Sequence, residues 1–327
     1  LAPDDRASAQ DRREGGTWSV AQRVKNAGLY GLARAAIAAV IALPPWALRA
    51  LGRASGRLAY ALFGTARRTA HANVARALGG MPAAARGALV RRCYDRLGAH
   101  LGDTLALLHG ARFEPLDLEP CATAVLQEAR AEGRGIIFVS AHLGPWERVA
   151  GSLVAAGFPL TTVARAAYDP RFTRLYDRLR ASLGVEVVYR GTPGATARLL
   201  RTLKDGRLLG VPMDLQSRVA SIEAPFLGHP APTAIGPARI ALRTGAPVVV
   251  GTVAPDPSGR LLLSATRIET RDLARSAACE LLLTTRINDE LSARILALPD
   301  EWVWMHPRWR QERDFTGRSE DRSAGSG

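Results

Sequence analysis

The chain changes its rhythm of apolar and polar positions near residue 133. From Val20 to about Leu108 the apolar residues recur at helical spacing, and Gly79-Gly80-Met81-Pro82 is a stop signal for one of those helices. From Gly133 onward short apolar, β-branched runs take over: GIIFVS (135–140), TTVAR (161–165), VEVVYR (185–190), RLLGVPM (207–213), APVVVGTVA (246–254) and LLLSATRI (261–268). Helical segments at Pro145–Ala156, Pro170–Leu183, Gly194–Lys204 and Ile235–Thr244 separate most of them, and a last helix covers about Ala274–Leu298. Strands alternating with helices predict an α/β fold, a central sheet flanked by helices on both faces. The last two runs are joined through Asp256-Pro257-Ser258-Gly259, a turn suited to a hairpin, so the sheet is expected to be mixed. No internal repeat is present.

Both ends are polar. Residues 1–16, LAPDDRASAQDRREGG, and residues 313–327 are too charged and too poor in apolar residues to fold, and both are expected to be disordered. The N-terminal stretch lacks the apolar centre of a signal peptide. Next comes Ala27 to Gly52, AGLYGLARAAIAAVIALPPWALRALG, interrupted by Arg34 and broken by Pro44 and Pro45. A spanning helix needs about 20 mostly apolar residues, so this stretch is a weak candidate for crossing a bilayer. Arg23, Lys25, Arg34, Arg49, Arg53 and Arg57 rim it with positive charge, as for a helix lying on an anionic membrane; a buried core helix followed by a Pro-Pro turn is the alternative. The chain is accordingly divided into membrane-associating helices at 17–65 and a catalytic domain at 66–312.

Charge narrows the partners. The 327 residues carry a formal charge of +14, and nearly all the cations are Arg, since Lys25 and Lys204 are the only lysines. Such a surface attracts nucleic acid, an anionic membrane, or acidic and phosphorylated partners. The arginines are scattered and aromatics make up 6%, which argues against nucleic acid. Cys93, Cys121 and Cys279 form no CxxC pair, suit a reducing compartment, and make no metal-ligand spacing with the histidines.

The sharpest candidate for chemistry is SAHLGPWERV, residues 140–149. His142 falls where the first strand ends, Pro145 suits the first helical position, and Glu147 sits in the first turn of the next helix. Functional groups in open α/β sheets gather at the carboxyl ends of strands. A Glu there can bond one imidazole nitrogen, fix the tautomer and leave the other nitrogen as a general base. The same residues also read as an ordinary helix start, since the macrodipole favours Glu in a first turn. The chain has no HExxH, GxSxG or Walker sequence, and nothing points to a covalent nucleophile.

An HxxxxE pair behind an apolar strand and a basic amphipathic N-terminus resembles the late acyltransferases of lipid A biosynthesis. Further blocks follow in the family's order over roughly residues 20 to 310: LPPWALRALGRASGRLAY, RRTAHANVARALGG, VARAAYDPRFTRLYDRLRASLGVEVVYRG, VPMDLQSR, APFLGHPAPTAIGPARIALRTGAPVVV and EWVWMHPRWR. Two positions depart from the pattern, Pro145 in place of a small polar residue and Asp214-Leu215-Gln216 in place of Asp-x-Asp. GPARIALRTGAPV is also similar to the branch that acylates phosphatidylinositol mannosides.

The resemblance implies a glycerolipid-acyltransferase-like fold and a membrane-associated enzyme on the cytoplasmic face of a bacterial inner membrane. It would move an acyl chain from acyl carrier protein or coenzyme A to a hydroxyl of a lipid A precursor, with a phosphatidylinositol mannoside as second acceptor and an inert lipid-binding protein as the remaining alternative. His142 would be the general base and Glu147 its orienting partner. Arg165 and Arg180 match positions that bind phosphate or shape the site, and Asp214 matches the acid at a later strand end. No cofactor and no metal is expected beyond the thioester co-substrate. Phe226 and Leu227 are candidates for an acyl groove or for plain core.

Overall fold

The computed structural model describes residues 18–40, 43–108, 110–216 and 219–309. Residues 1–16 and 313–327, expected to be disordered, lie outside the described residues, as do residues 41 and 42 of the stretch from Ala27 to Gly52. Among the described residues four helices come first: α1 (Val20–Val40), α2 (Pro45–Leu62), α3 (Gly64–Ala77) and α4 (Ala83–Leu108). The boundary expected at residues 65 and 66 falls inside α3. A fifth helix, α5 (Pro120–Ala131), leads into the sheet, with its proline in the first turn where no backbone donor is needed.

The strands then alternate with helices: β1 (Ile136–Ser140), α6 (Trp146–Ala155), β2 (Leu160–Ala164), α7 (Pro170–Ser182), β3 (Glu186–Tyr189), α8 (Ala195–Lys204) and β4 (Leu208–Pro212). A hairpin of β5 (Ser221–Phe226) and β6 (His229–Ala234) follows, then α9 (Gly236–Thr244), β7 (Val248–Pro255), β8 (Leu261–Ile268) and α10 (Ala277–Ala297). The main sheet has the order β3-β2-β4-β1-β7-β8 and is parallel except for β8, which runs antiparallel to β7. It is the mixed sheet expected from the hairpin turn at Asp256–Gly259. The β5–β6 hairpin stands apart as a two-stranded sheet.

Both faces of the main sheet are covered, and side-chain alternation sorts the core into two layers. Ile137 and Val139 of β1 join buried residues of α3, α4, α9 and α10, while Ile136 and Phe138 join those of α5, α6 and α7. Removing each such Ile, Val or Phe from water contributes about 1.5–3 kcal/mol, which is why continuous apolar runs become central strands.

The N-terminal helices pack by an unusually close approach. Gly52 and Gly56 of α2 face Gly98 and Gly102 of α4, and a Cβ added at Gly56 would sit 2.1 Å from the Tyr94 carbonyl oxygen. The arginine row read as a membrane rim has another partner: Arg49 pairs with Asp103, and Arg53 and Arg57 both pair with Asp95 of α4. Those three cations lock α2 to α4. On the outside, Val24, Leu32, Trp46, Leu58, Leu62 and Phe63 are exposed, Trp46 by 74%. No helix of the described residues is long and apolar enough to cross a membrane.

Candidate active site

Strand register decides who meets His142. β1 and β4 are parallel neighbours with Ser140 level with Pro212, so residues two further on, His142 and Asp214, leave the sheet side by side. Asp214 is fully buried and its carboxylate accepts three N–H groups. Oδ1 lies 2.9 Å from His142 Nδ1; Oδ2 takes the His142 backbone N–H at 2.9 Å and Trp302 Nε1–H at 2.7 Å. An ionised carboxylate can only accept, so the Nδ1 proton is fixed and Nε2 is left as the basic nitrogen. No described residue bonds Nε2, and the His142 side chain keeps 28% of its surface accessible. Burial pulls the imidazole pKa down, but the Asp214 charge and hydrogen bond, helped by the Glu147 charge, outweigh it and raise the value above 6.5. Asp214 is held below the usual aspartate range: desolvation opposes this, but His142 and the Trp302 and backbone donors prevail.

Glu147 has a different place from the one spacing suggests. Pro145 precedes the first helical residue of α6, and Glu147 in the first turn turns toward α7, where Arg180 grips it with Nη2 at 2.6 Å from Oε1 and Nε at 3.1 Å from Oε2. The imidazole N–H expected to donate to Glu147 donates to Asp214 instead. Glu147 acts on the imidazole through its charge. Gly144, with φ +64°, makes the tight turn between His142 and α6; a Cβ there would lie 2.7 Å from Val253 Cγ2.

A C-terminal strap closes the site from the far side. Leu143 bridges to Trp302, and Gly144 N–H donates to the Glu301 carbonyl at 3.0 Å. The Glu301 carboxylate meets His100 Nε2 of α4 at 2.6 Å, and Cys93 Sγ donates to the Trp302 carbonyl at 2.8 Å. Asn73 of α3 donates to the carbonyls of Trp304 and His306 at 2.9 and 2.8 Å. Asn73 falls in the family-like block RRTAHANVARALGG and Glu301 and Trp302 in EWVWMHPRWR, whereas His100 lies in no motif.

His142 opens into a cavity of about 1100 Å³ at the carboxyl ends of the parallel strands. Its walls come from both core layers: Phe138, Val149, Leu153 and Leu160 on the α6 side, Leu209 and Ile240 on the other. Glu147, Arg165, Arg180 and His306 also line it, so four of the five sequence candidates face one space and Asp214 stands directly behind His142. Phe226 and Leu227 do not line it; Phe226 is core, 5.7 Å from the Trp302 ring and 4.3 Å beneath the buried guanidinium of Arg308. Arg239 and Arg190, not singled out in the sequence, also reach the cavity. Among the described residues no group of three or more His, Cys, Asp or Glu could hold a metal ion.

The profile of bacterial lipid A biosynthesis acyltransferases matches residues 21–311. The chain belongs to that family. It is therefore an acyltransferase, and the strand-end histidine lies in the part of the chain that the family shares. Among individual relatives, the phosphatidylinositol mannoside acyltransferase of Mycolicibacterium smegmatis is 26% identical over 242 residues, covering 72% of this chain and 77% of that protein. Its namesake in Mycobacterium tuberculosis is 25% identical over 258 residues, covering 77% and 79%. The family assignment thus spans the N-terminal helices, the sheet and the strap alike.

Proposed function

We propose that this protein transfers a fatty acyl chain from a thioester to a hydroxyl of a glycolipid, with His142 as general base oriented by Asp214. The observation that carries this reading is the bonding of His142: Nδ1 is held by a buried carboxylate while Nε2 faces a cavity with an apolar wall. In the reaction Nε2 takes the proton of the acceptor hydroxyl as its oxygen adds to the thioester carbonyl. The tetrahedral adduct then breaks its C–S bond, and the leaving thiolate recovers the proton from the imidazolium. Asp214 stabilises that transient cation. Phe138, Val149, Leu153 and Leu160 offer the acyl chain an apolar berth.

The names of the curated relatives favour a phosphatidylinositol mannoside acceptor over a lipid A precursor. Acyl carrier protein and coenzyme A are the two donors consistent with the reaction, and the net charge of +14 would draw an acidic carrier. The exposed apolar side chains of α1 and α2 support docking on the cytoplasmic face of the bacterial inner membrane. Purified His142→Ala should keep its circular dichroism spectrum and lose transfer to both acceptors, with products read by mass spectrometry. Normal transfer by that variant would refute the assignment of the base; absence of transfer by the wild type with every donor and acceptor would favour an inert lipid-binding member.

A further inference from the structure

We propose that His306 is a second catalytic residue, whose Nε2–H donates a hydrogen bond to the oxyanion formed when the acceptor hydroxyl adds to the thioester carbonyl. The proposal deepens the acyltransferase reading and rests on it for the reaction. His142 and His306 line the same cavity from different parts of the chain, one at the end of β1 and the other on the C-terminal strap. The strap runs beside the His142 turn, where Leu143 bridges to Trp302. His306 is pinned there by its backbone. Its N–H donates to the Val303 carbonyl at 3.1 Å, and its carbonyl accepts from the Asn73 side chain at 2.8 Å. Nearby, the buried Arg308 is fastened to Pro232 and Thr233 of β6. A donor on so fixed a base needs no reorganisation at the moment of reaction.

The decisive feature is Nδ1. It is buried, and among the described residues it has no hydrogen-bonding partner. A proton there would be a buried donor without an acceptor, at a cost of about 1–3 kcal/mol, whereas an idle lone pair is the milder defect. The proton of the neutral ring therefore sits on Nε2, the nitrogen left to meet a substrate. An imidazolium would carry a proton on Nδ1 as well, so the ring resists charging. Burial holds its pKa below 6.5; the Asp214 charge pulls the other way, and the His142 and Arg308 charges side with burial. The pKa of His142 is raised while that of His306 is lowered, which keeps one imidazole as base and the other as neutral donor. In the step itself the hydroxyl oxygen forms the C–O bond and its proton goes to His142 Nε2. The carbonyl π pair moves to oxygen, where His306 Nε2–H bonds it. The pair then returns, the C–S bond breaks, and the thiolate takes the proton from His142. His306 keeps its own proton throughout.

The test compares wild type with His306→Phe, which keeps the bulk and loses the donor, and His306→Gln, whose amide NH₂ reaches about as far as Nε2. Circular dichroism and thermal melting check folding. Rates are read for transfer to the glycolipid and for hydrolysis of acyl-coenzyme A, which passes through the same adduct with water as nucleophile. His306→Phe should lose about 10²- to 10³-fold in kcat in both assays with KM nearly unchanged, and its acid limb should stay where His142 sets it. His306→Gln should recover about tenfold of that loss. Nitrogen-15 NMR of histidine-labelled wild type, assigned by the signal that His306→Gln removes, should show a ring protonated on Nε2 that does not titrate with His142. That spectrum decides the tautomer even if His306→Phe does not fold. Wild-type kcat in folded His306→Phe, equal losses in both variants, or a His306 proton on Nδ1 would overturn the proposal. Hydrolysis with the expected pattern but no transfer to any glycolipid would sink the glycolipid reading and leave His306 in its role.

Discussion

Asp214→Asn changes one atom of the site and should silence it. The carboxylate accepts from three N–H groups, two at Oδ2 and one at Oδ1. An amide can keep all three contacts only by turning its oxygen to the His142 backbone and Trp302 donors and its NH₂ to Nδ1. Nδ1 must then be bare, the proton moves to Nε2, and the imidazole can no longer act as a base. The competent tautomer needs the opposite amide orientation, which sets NH₂ against two buried donors. Each unsatisfied donor costs about 1–3 kcal/mol, so the competent form is suppressed about 30- to 10⁴-fold. Loss of the charge that supports the imidazolium pushes the fall in kcat toward the upper end of that range. The pH profile gives a second readout. The wild-type acid limb should lie above pH 6.5, because the base must lose its proton and its pKa is raised; in Asp214→Asn it should move down. The stabilising contribution of the same pair is complete below 6.5 and lost as pH rises through the raised value, so thermal stability should decline where activity grows. A folded Asp214→Asn protein with wild-type kcat and an unmoved acid limb would refute the dyad.

Gly56→Ala should destabilise by at least about 1–3 kcal/mol in urea unfolding, because its Cβ would meet backbone at 2.1 Å, whereas Gly87→Ala, with only an Arg91 side-chain nitrogen at 3.8 Å, should stabilise by about 0.5–1 kcal/mol. Glu301→Gln replaces the buried carboxylate that meets His100 Nε2 at 2.6 Å with a neutral amide and should cost about 1–3 kcal/mol in urea unfolding. Burial pulls the Glu301 pKa up but His100 and Arg96 hold it below 4.5, so the wild-type advantage should persist above 4.5 and shrink as pH falls through the lowered value. Burial pushes the Cys93 thiol up to about 12; at pH 8 iodoacetamide should label exposed Cys121 and reach Cys93 only when the protein unfolds.

The six strands of the main sheet are legible in the sequence because burial on both faces demands continuous β-branched runs, and the chain supplies them at nearly the observed boundaries. The β5–β6 hairpin is not, since Pro225, Pro230 and Pro232 argue against a strand; they are tolerated because the pair stands apart from the main sheet. His142 was legible as a candidate from its place at a strand end, but its partner was not. Proximity in sequence favours Glu147, whereas the partner stands 72 residues away and is selected by β1 lying next to β4. Strand order is a property of the whole fold, invisible to any local pattern. The same holds for Arg190, which becomes Arg165's neighbour only through the pairing of β2 with β3.

The glycine seam has a mechanical consequence. With backbone against backbone at Gly52, Gly56, Gly98 and Gly102, α2 cannot tilt or slide on α4 without a steric clash. α4 carries His100, His100 holds Glu301, and the Glu301 carbonyl holds Gly144 two residues from His142. The outer face of α2 and the reacting nitrogen therefore belong to one stiff body. If the enzyme docks by that outer face, as proposed above, the body is a ruler: it sets a single height above the bilayer at which a hydroxyl can be reached. Which hydroxyl of a headgroup is acylated would then be chosen by elevation, and deepening or padding the Trp46 face should change the product's regiochemistry without touching the site.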